Sequence, residues 1–199
     1  MACAWPGTRA AADTHKFELT PFGAYRFGGE FNVTDSDGSL RLDDSPSYGL
    51  LLNFRHQANT QWEVLYSRQQ TDARAVGGPA NGNVLGLDLQ VLQGGGTYQG
   101  DGDTARPYLA VTMGGTHIKA TSGGSGSDTF FSFSLGVGLQ IRPNDRLGLR
   151  LEARGYGTLT DSNTNLFCQT GPDQNVCAIR VDGSVLWQLE TLVGIVFRF

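Results

Sequence analysis

The sequence predicts an all-β fold, an eight-stranded antiparallel up-and-down transmembrane β-barrel with long extracellular loops and short periplasmic turns. Three observations predict it. Apolar residues recur at every second position, which is the spacing of a β-strand with two different faces. Long and short connections alternate between these segments, as in barrels that span a membrane. The charged residues of the segments fall on the face opposite to the apolar one.

Length and composition set the outer limits. The chain has 199 residues, which fit one domain, and only 17% of them are charged. A net charge of −4 provides no basic stripe for binding nucleic acid. No run approaches the roughly 18 to 20 apolar residues of a membrane-spanning helix. The composition therefore excludes a helical membrane protein and a nucleic-acid-binding domain.

The first four predicted strands are residues 16–27, 48–55, 61–68 and 84–93. On the first, the apolar face carries Phe17, Leu19, Pro21, Gly23, Tyr25 and Phe27. On the second and third it carries Tyr48, Leu50, Leu52 and Phe54, then Trp62, Val64 and Tyr66. On the fourth it carries Leu85, Leu87, Leu89 and Val91.

The other four predicted strands are residues 107–119, 130–142, 146–156 and 185–199. The fifth aligns Leu109, Val111, Met113, Gly115 and His117, and the sixth aligns Phe131, Phe133, Leu135, Val137, Leu139 and Ile141. The seventh aligns Leu147, Leu149, Leu151, Ala153 and Gly155. The last aligns Val185, Trp187, Leu189, Thr191, Val193, Ile195, Phe197 and Phe199. Strands that cross a bilayer when tilted need about 9 to 11 residues, which these segments bracket.

The connections separate two rims of the predicted barrel. The long ones are residues 28–46, 69–83, 120–129 and 157–183, and the shorter ones are residues 56–60, 94–106 and 143–145. The connection 94–106 opens with three consecutive glycines, which favour a flexible turn. We expect the long loops on the extracellular rim and the short turns on the periplasmic rim.

Charges decide which face meets lipid. The face opposite to the apolar one carries Glu18, Arg26, Arg55, Glu63, Asp88, Arg142, Arg150, Glu152, Arg154, Glu190 and Arg198. A soluble barrel would have to fit the apolar face, including aromatics such as Trp62 and Phe131, into a narrow eight-stranded lumen. An arginine facing lipid costs about 2 to 4 kcal/mol at mid-bilayer. The pattern therefore predicts a lipid-facing apolar surface and a lumen of paired charges, with a soluble lipocalin-like ligand carrier as an alternative.

The end of the chain carries a family resemblance. Val193, Ile195, Phe197 and Phe199 alternate up to a terminal aromatic, which resembles the C-terminal signal read by the insertion machinery of bacterial outer-membrane barrels. Residues 16–199 as a whole are similar to the small eight-stranded barrels of the OmpA/OmpX type, as is the opening stretch 20–31. The resemblance implies a Gram-negative outer-membrane protein and a monomer. Its implied partners are the insertion machinery, outer-membrane lipid and lipopolysaccharide.

Residues 1–15 differ from this family pattern. They have no basic start and no apolar core of a signal peptide, but Ala2-Cys3-Ala4 and Ala10-Ala11-Ala12 look like small-residue cleavage sites. We interpret residues 1–15 as a remnant of a signal peptide or a periplasmic tail, and residues 16–199 as the barrel domain. Cys168 and Cys177 lie in one long loop, and in an oxidising compartment their spacing favours a disulfide.

For function, we expect a structural or surface-interaction role in which the extracellular loops bind an external ligand. We expect no catalytic site, no metal and no cofactor. One alternative is a lipid-modifying enzyme, for which His117 with Ser122 and Ser125 is the only candidate site. Another is a narrow pore, for which Arg150, Glu152 and Arg154 facing Glu190 would line the passage.

Overall fold

The computed structural model describes residues 16–32, 39–76, 84–102, 104–122, 126–160, 168–170, 175–177 and 184–199. Within these residues the strands are β1 Phe17–Phe27, β2 Glu30–Asn32, β3 Ser39–Leu42, β4 Ser45–Arg55, β5 Thr60–Val76 and β6 Val84–Gln99. They continue with β7 Ala105–Ser122, β8 Ser127–Ile141, β9 Leu147–Thr160, β10 Cys168–Thr170, β11 Asn175–Cys177 and β12 Ser184–Arg198. In this described part of the chain, no helix is long and apolar enough to cross a bilayer.

Eight of these strands form a closed antiparallel barrel. The order around the barrel is β1, β4, β5, β6, β7, β8, β9 and β12, and β12 pairs with β1 to close it. This confirms the predicted eight-stranded up-and-down barrel. The short strand β3 pairs with the C-terminal end of β5, and β2 pairs with the other edge of β3. Strands β10 and β11 form a separate two-stranded sheet.

The two rims differ as predicted. The short-turn rim carries the connections 56–59, 100–104 and 142–146, together with both ends of the described barrel. There the amide of Lys16 donates to the carbonyl of Phe199 at 3.1 Å. Several strands run further toward the opposite rim than predicted, with β5 reaching Val76 and β7 reaching Ser122. The barrel therefore extends beyond the length needed to cross a bilayer.

The outer surface carries an apolar band. On seven of the eight predicted strands the apolar face points outward, and residues such as Val137 and Trp187 are 53% and 60% exposed. The 11 residues of β1, at about 3.3 Å each and a tilt of about 40°, span roughly 28 Å along the barrel axis. Phe17 stands at one end of this span and Phe27 at the other, which matches the aromatic girdles of outer-membrane barrels.

The fourth predicted strand is the exception. Leu85, Leu87, Leu89 and Val91 were expected to face lipid, but they are buried inside the barrel. Leu85, Leu87 and Leu89 form an apolar cluster with Leu42, Ile118 and Phe130 from neighbouring strands. The lipid-facing positions of β6 are instead Leu92, Gly94, Gly96 and Tyr98, because the predicted flexible turn at Gly94-Gly95-Gly96 belongs to the strand. The connection is only residues 100–104.

The outer face becomes polar directly beyond the apolar band, on the side of the long loops. On β5, Tyr66 is followed by Arg68 and Gln70 at the next two outward positions. On β6 and β7, Gln90, Asp88, His117 and Lys119 take the equivalent places. Arg68 and Asp88 form an ion pair here, with Nη2 of the arginine 2.5 Å from Oδ2 of the aspartate. We call these six residues the polar rim.

Candidate functional site

The centre of the lumen holds a cluster of two arginines and two glutamates, Glu63, Arg150, Glu152 and Arg154. Nη2 of Arg150 donates to both glutamates, at 2.7 Å from Oε2 of Glu63 and 2.7 Å from Oε2 of Glu152. Nη2 of Arg154 donates to Oε1 of Glu63 at 2.6 Å, and its Nε is paired with Glu152. All four side chains are at most 4% exposed. The cluster is formally neutral and closed to solvent.

The central cluster joins opposite walls of the barrel. Glu63 lies on β5, and Arg150 and Arg154 lie on β9, four strands away in either direction around the closed ring of eight. Neighbouring strands are about 4.8 Å apart, so these contacts cross the full bore. They therefore block the lumen at its middle and do not line it as a ring around a passage.

Polar neighbours satisfy the remaining groups of the central cluster. Tyr108 Oη donates to Oε2 of Glu152 at 2.6 Å and accepts from Nε of Arg150 at 2.8 Å. Asn53 Nδ2 and Thr97 Oγ1 donate to Glu63 at 3.1 and 2.9 Å. Buried charges are tolerated only when paired and hydrogen-bonded, and this cluster meets both conditions.

A second ionic pair lies toward the long-loop rim. Arg26 and Glu190 are opposite each other on β1 and β12, with Nη2 of the arginine 2.8 Å from Oε2 of the glutamate. Ser47 Oγ and Tyr156 Oη donate to Glu190 at 2.6 and 2.8 Å. The Arg26 guanidinium also lies 4.3 Å from the centre of the Tyr156 ring, a cation–π geometry.

A third ionic group lies at the short-turn rim. Arg198 Nε donates to Oε1 of Glu18 at 3.2 Å, and Arg142 Nη2 lies 3.9 Å from the same oxygen. Gln140 Nε2 donates to the other oxygen of Glu18 at 3.0 Å. The three ionic groups thus follow one another along the barrel axis.

Apolar side chains fill the lumen between and above the ionic groups. Phe22, Leu51, Leu65, Val91 and Leu192 pack together between the central cluster and the Arg26–Glu190 pair. The cluster around Leu87 and Leu89 closes the end nearest the long loops. Ionic and apolar layers therefore alternate along the bore.

Glycines on the inner face make room for the large polar groups. A Cβ at Gly136 would overlap the Glu152 carboxylate, and one at Gly138 would overlap the Tyr108 hydroxyl. Both glycines lie on β8, opposite the part of β9 that carries the arginines. The small inward residues of β8 thus set the space for the central cluster.

The structure places the predicted lumen charges as follows. Glu18, Arg26, Glu63, Arg142, Arg150, Glu152, Arg154 and Glu190 point into the barrel, and Arg55 lies half-buried at the short-turn rim. Asp88 does not belong to the lumen, because it lies on the outer face and pairs with Arg68 in the polar rim.

Two further findings revise the predicted lumen. Glu190 is directly opposite Arg154 in the β12–β9 register, as predicted, but its ionic partner is Arg26. Arg150 and Arg154 pair instead with Glu63 from the opposite wall, because the curvature of the barrel brings β5 to β9. Sequence reasoning also missed Tyr108. Its signal was a large aromatic at an inward position that is followed by the small inward residues Ala110, Thr112 and Gly114.

The remaining predicted residues take no part in this site. Nδ1 of His117 lies 2.9 Å from Oγ1 of Thr129 on the outer face. Ser122 Oγ instead accepts from the Gly86 amide at 3.2 Å, and Ser125 lies outside the described residues. Cys168 and Cys177 are directly opposite in the β10–β11 pair, and the disulfide stays a prediction.

The four residues of the predicted insertion signal, Val193, Ile195, Phe197 and Phe199, stand on the outer face of β12 and at its end. Their role as a signal stays a prediction, and residues 1–15 lie outside the described part.

Among the described residues, no group of three or more His, Cys, Asp or Glu side chains is placed to hold a metal ion. The lumen groups are arranged to hold the walls together.

Comparisons with known proteins agree with this architecture. A family model described as an outer membrane protein beta-barrel domain matches residues 7–182. The crystal structure of Neisserial surface protein A is similar at 13% identity, with a TM-score of 0.62, over 92% of this chain and 97% of that one. No curated protein sequence matches the chain.

Two further solved structures are similar over most of their length. The N-terminal barrel domain of Pseudomonas aeruginosa OprF is 14% identical, covers 92% of this chain and 98% of its own, and has a TM-score of 0.48. Ail of Yersinia pestis is 16% identical over 92% and 99%, with a TM-score of 0.46. Because the family model matches residues 7–182, which are most of the chain, the chain belongs to the outer membrane protein beta-barrel domain family, and it resides in the bacterial outer membrane.

Proposed function

We propose that this protein is a non-conducting outer-membrane barrel that holds its extracellular loops at the cell surface, where they bind an external ligand. The observation that carries the proposal is the contact of Arg154 and Arg150 with Glu63 across the full bore. An eight-stranded barrel has an interior just wide enough for side chains, and here the side chains fill it. The surface available for binding is then the outside of the barrel and its loops.

Several features support a rigid scaffold. The central cluster ties β5 to β9, and Gln140 ties β8 to Glu18 on β1. These contacts cross-link walls that share no backbone hydrogen bonds, so they oppose flattening of the barrel. The connections 28–44 and 161–183 are long and polar, and they leave the barrel at the same rim. Long loops on a rigid barrel are the usual place of recognition, since the scaffold positions them at little entropic cost.

The closed lumen is tested by conductance in planar phospholipid bilayers. We expect no steady single-channel current from the wild-type protein, because the ionic and apolar layers leave no aqueous path. Insertion is checked in the same preparation by the gel shift between unboiled and boiled samples. A reproducible stepwise current from the inserted protein would contradict the proposal and favour the narrow pore.

The orientation of the loops is tested on intact cells. In a background in which all three cysteines are replaced by serine, single cysteines are introduced as Ser36→Cys and Ser162→Cys in long loops. Ala58→Cys in a short turn is the matched control. A membrane-impermeant maleimide should label the first two and leave the third unlabelled until the cells are lysed. The opposite labelling pattern would overturn the proposal that these loops act at the cell surface.

A further inference from the structure

The outer face of β6 lacks side chains where its neighbours carry large ones. Gly96 lies directly between Trp62 on β5 and Val111 on β7, and the three residues form one row across the sheet. Gly94 stands in the same position one pleat further along, between Val64 and Met113. The missing side chain at Gly96 leaves an opening on the outside of β6.

A groove of about 360 Å³ lies at this place, within the size range of small-molecule binding sites. Its apolar walls are Trp62, Tyr98, Leu109 and Val111. Trp62 and Tyr98 are 59% and 58% exposed, so both rings stand out from the barrel and flank the groove.

Strand packing does not demand these two glycines. A Cβ at Gly94 would meet nothing within 4 Å, and one at Gly96 would have its nearest neighbour, the carbonyl oxygen of Gln61, at 3.6 Å. Gly95 between them points inward, and a Cβ there would collide with the backbone of β7. The groove therefore results from the glycine at position 96 and not from a constraint of the barrel.

The end of the groove at the short-turn rim is polar. His56 and Thr60 line it, and the His56 ring lies 6.0 Å from that of Trp62. Oγ1 of Thr60 is buried and has no hydrogen-bond partner among the described residues. Buried polar atoms are nearly always satisfied, so this hydroxyl indicates a partner that the protein does not supply.

We propose that this groove binds one acyl chain of a glycerophospholipid of the periplasmic leaflet. Because the groove is continuous with the apolar band that faces lipid, hydrocarbon is the medium that enters it. The acyl chain lies over Gly96 between the rings of Trp62 and Tyr98. The ester and phosphate oxygens lie at the short-turn rim, where Thr60 and His56 can donate hydrogen bonds.

The test follows the fluorescence of Trp62 in detergent micelles as phosphatidylethanolamine with brominated acyl chains is added. Trp5→Phe and Trp187→Phe leave Trp62 as the reporter, while Trp5→Phe and Trp62→Phe leave Trp187 as the reference. The two indoles are almost equally exposed, at 59% and 60%. We expect quenching of Trp62 to saturate at one lipid per barrel, and quenching of Trp187 to rise only with the lipid fraction.

Substitutions in the groove separate a site from general solvation by lipid. Gly96→Leu fills the groove and should bring the Trp62 curve onto the Trp187 reference. Thr60→Val should weaken the saturable phase about three- to tenfold, the effect of one lost hydrogen bond. Gly155→Leu adds the same side chain to the outer face of β9, where a Cβ meets nothing within 4 Å, and should leave the curve unchanged.

Folding of each variant is checked by the gel shift on boiling, which does not depend on lipid binding. Identical curves for Trp62 and Trp187 would overturn the proposal. So would a Gly96→Leu variant that is folded and still shows the saturable phase, or a Gly155→Leu variant that loses it equally.

Discussion

Arg154 and Glu63 lie on opposite walls of the barrel, and Nη2 of the arginine is 2.6 Å from Oε1 of the glutamate. Both side chains are fully buried. No pair of adjacent strands is involved, so the contact depends on the closed ring and not on the register of any one hairpin. It is the feature by which the folded barrel differs most clearly from a flat sheet with the same strand order.

Removing Glu63 should strongly destabilise the barrel. Glu63→Ala leaves Arg150 and Arg154 with one carboxylate between them, and an uncompensated buried charge costs about 3 to 5 kcal/mol. The free energy of unfolding is measured by urea titration in phospholipid vesicles.

The matched control for Glu63→Ala is Asp43→Ala, which removes the partner of Arg74 in an exposed ion pair of 2.9 Å. Exposed pairs contribute about 0 to 1 kcal/mol, so this variant should unfold close to the wild type. Equal losses in the two variants would show that the central cluster does not hold the walls together.

Adding a side chain at Gly136 should displace Glu152. Gly136→Val places a branched side chain where the Glu152 carboxylate lies, and overpacking of this kind costs about 1 to 3 kcal/mol. Gly155→Val introduces the same residue on the neighbouring strand, facing outward into open space, and should have little effect. The same urea titration compares them. A stable Gly136→Val variant would mean that β8 does not set the space for the central cluster.

Cys168 and Cys177 should form a disulfide in the exported protein. Residues directly opposite in an antiparallel pair have Cα atoms about 4.5 to 5.5 Å apart, within the range that a disulfide bridges. Alkylation under denaturing conditions without reductant should modify neither cysteine, as measured by mass spectrometry of peptides from outer membranes. In Cys168→Ser, Cys177 should become fully alkylated. Alkylation of Cys177 in the unreduced wild type would refute the disulfide.

The terminal aromatic should matter for assembly in cells more than for stability. Phe199→Ala keeps the backbone bonds of Phe199 to Lys16 and Phe17 but removes a ring that is 67% exposed. We expect slower appearance of the heat-modifiable form in cells and unchanged refolding in detergent. Phe17→Ala, on the same rim and also exposed, is the control and should assemble at the wild-type rate. Equal assembly of both variants would remove the signal role of Phe199.

Most of the barrel follows from the period-two pattern, but the pattern alone does not say which side of a strand meets lipid. On seven strands the apolar positions face outward, because the segments that show the pattern lie within the apolar band. On β6 the same spacing of Leu85, Leu87 and Leu89 lies beyond the apolar band, where the inside is apolar and the outside carries Asp88 and Gln90. The alternation of apolar and polar residues on β6 is the same as on the other strands, so the prediction exchanged its inward and outward positions.

The candidate site was predicted only in part for a similar reason. The inward position of Arg150, Glu152 and Arg154 follows from alternation on one strand. Their contact with Glu63 depends on how the ring closes, which no local pattern encodes. The groove over Gly96 could not be predicted from the sequence either. Three consecutive glycines favour a turn when only the local sequence is considered, and only their register with β5 and β7 shows that they belong to a strand.

The reversal of polarity along β6 fixes the level at which the protein sits in the bilayer. Between Leu92 and Gln90 the outward side chains change from apolar to polar, and β5 and β7 change at the same height. A vertical displacement toward the periplasm would draw Arg68 and Asp88 into hydrocarbon, and a displacement away from it would draw His56 at the short-turn rim into the acyl chains. Either shift raises the free energy, so the membrane must adapt its thickness to the barrel and not the reverse.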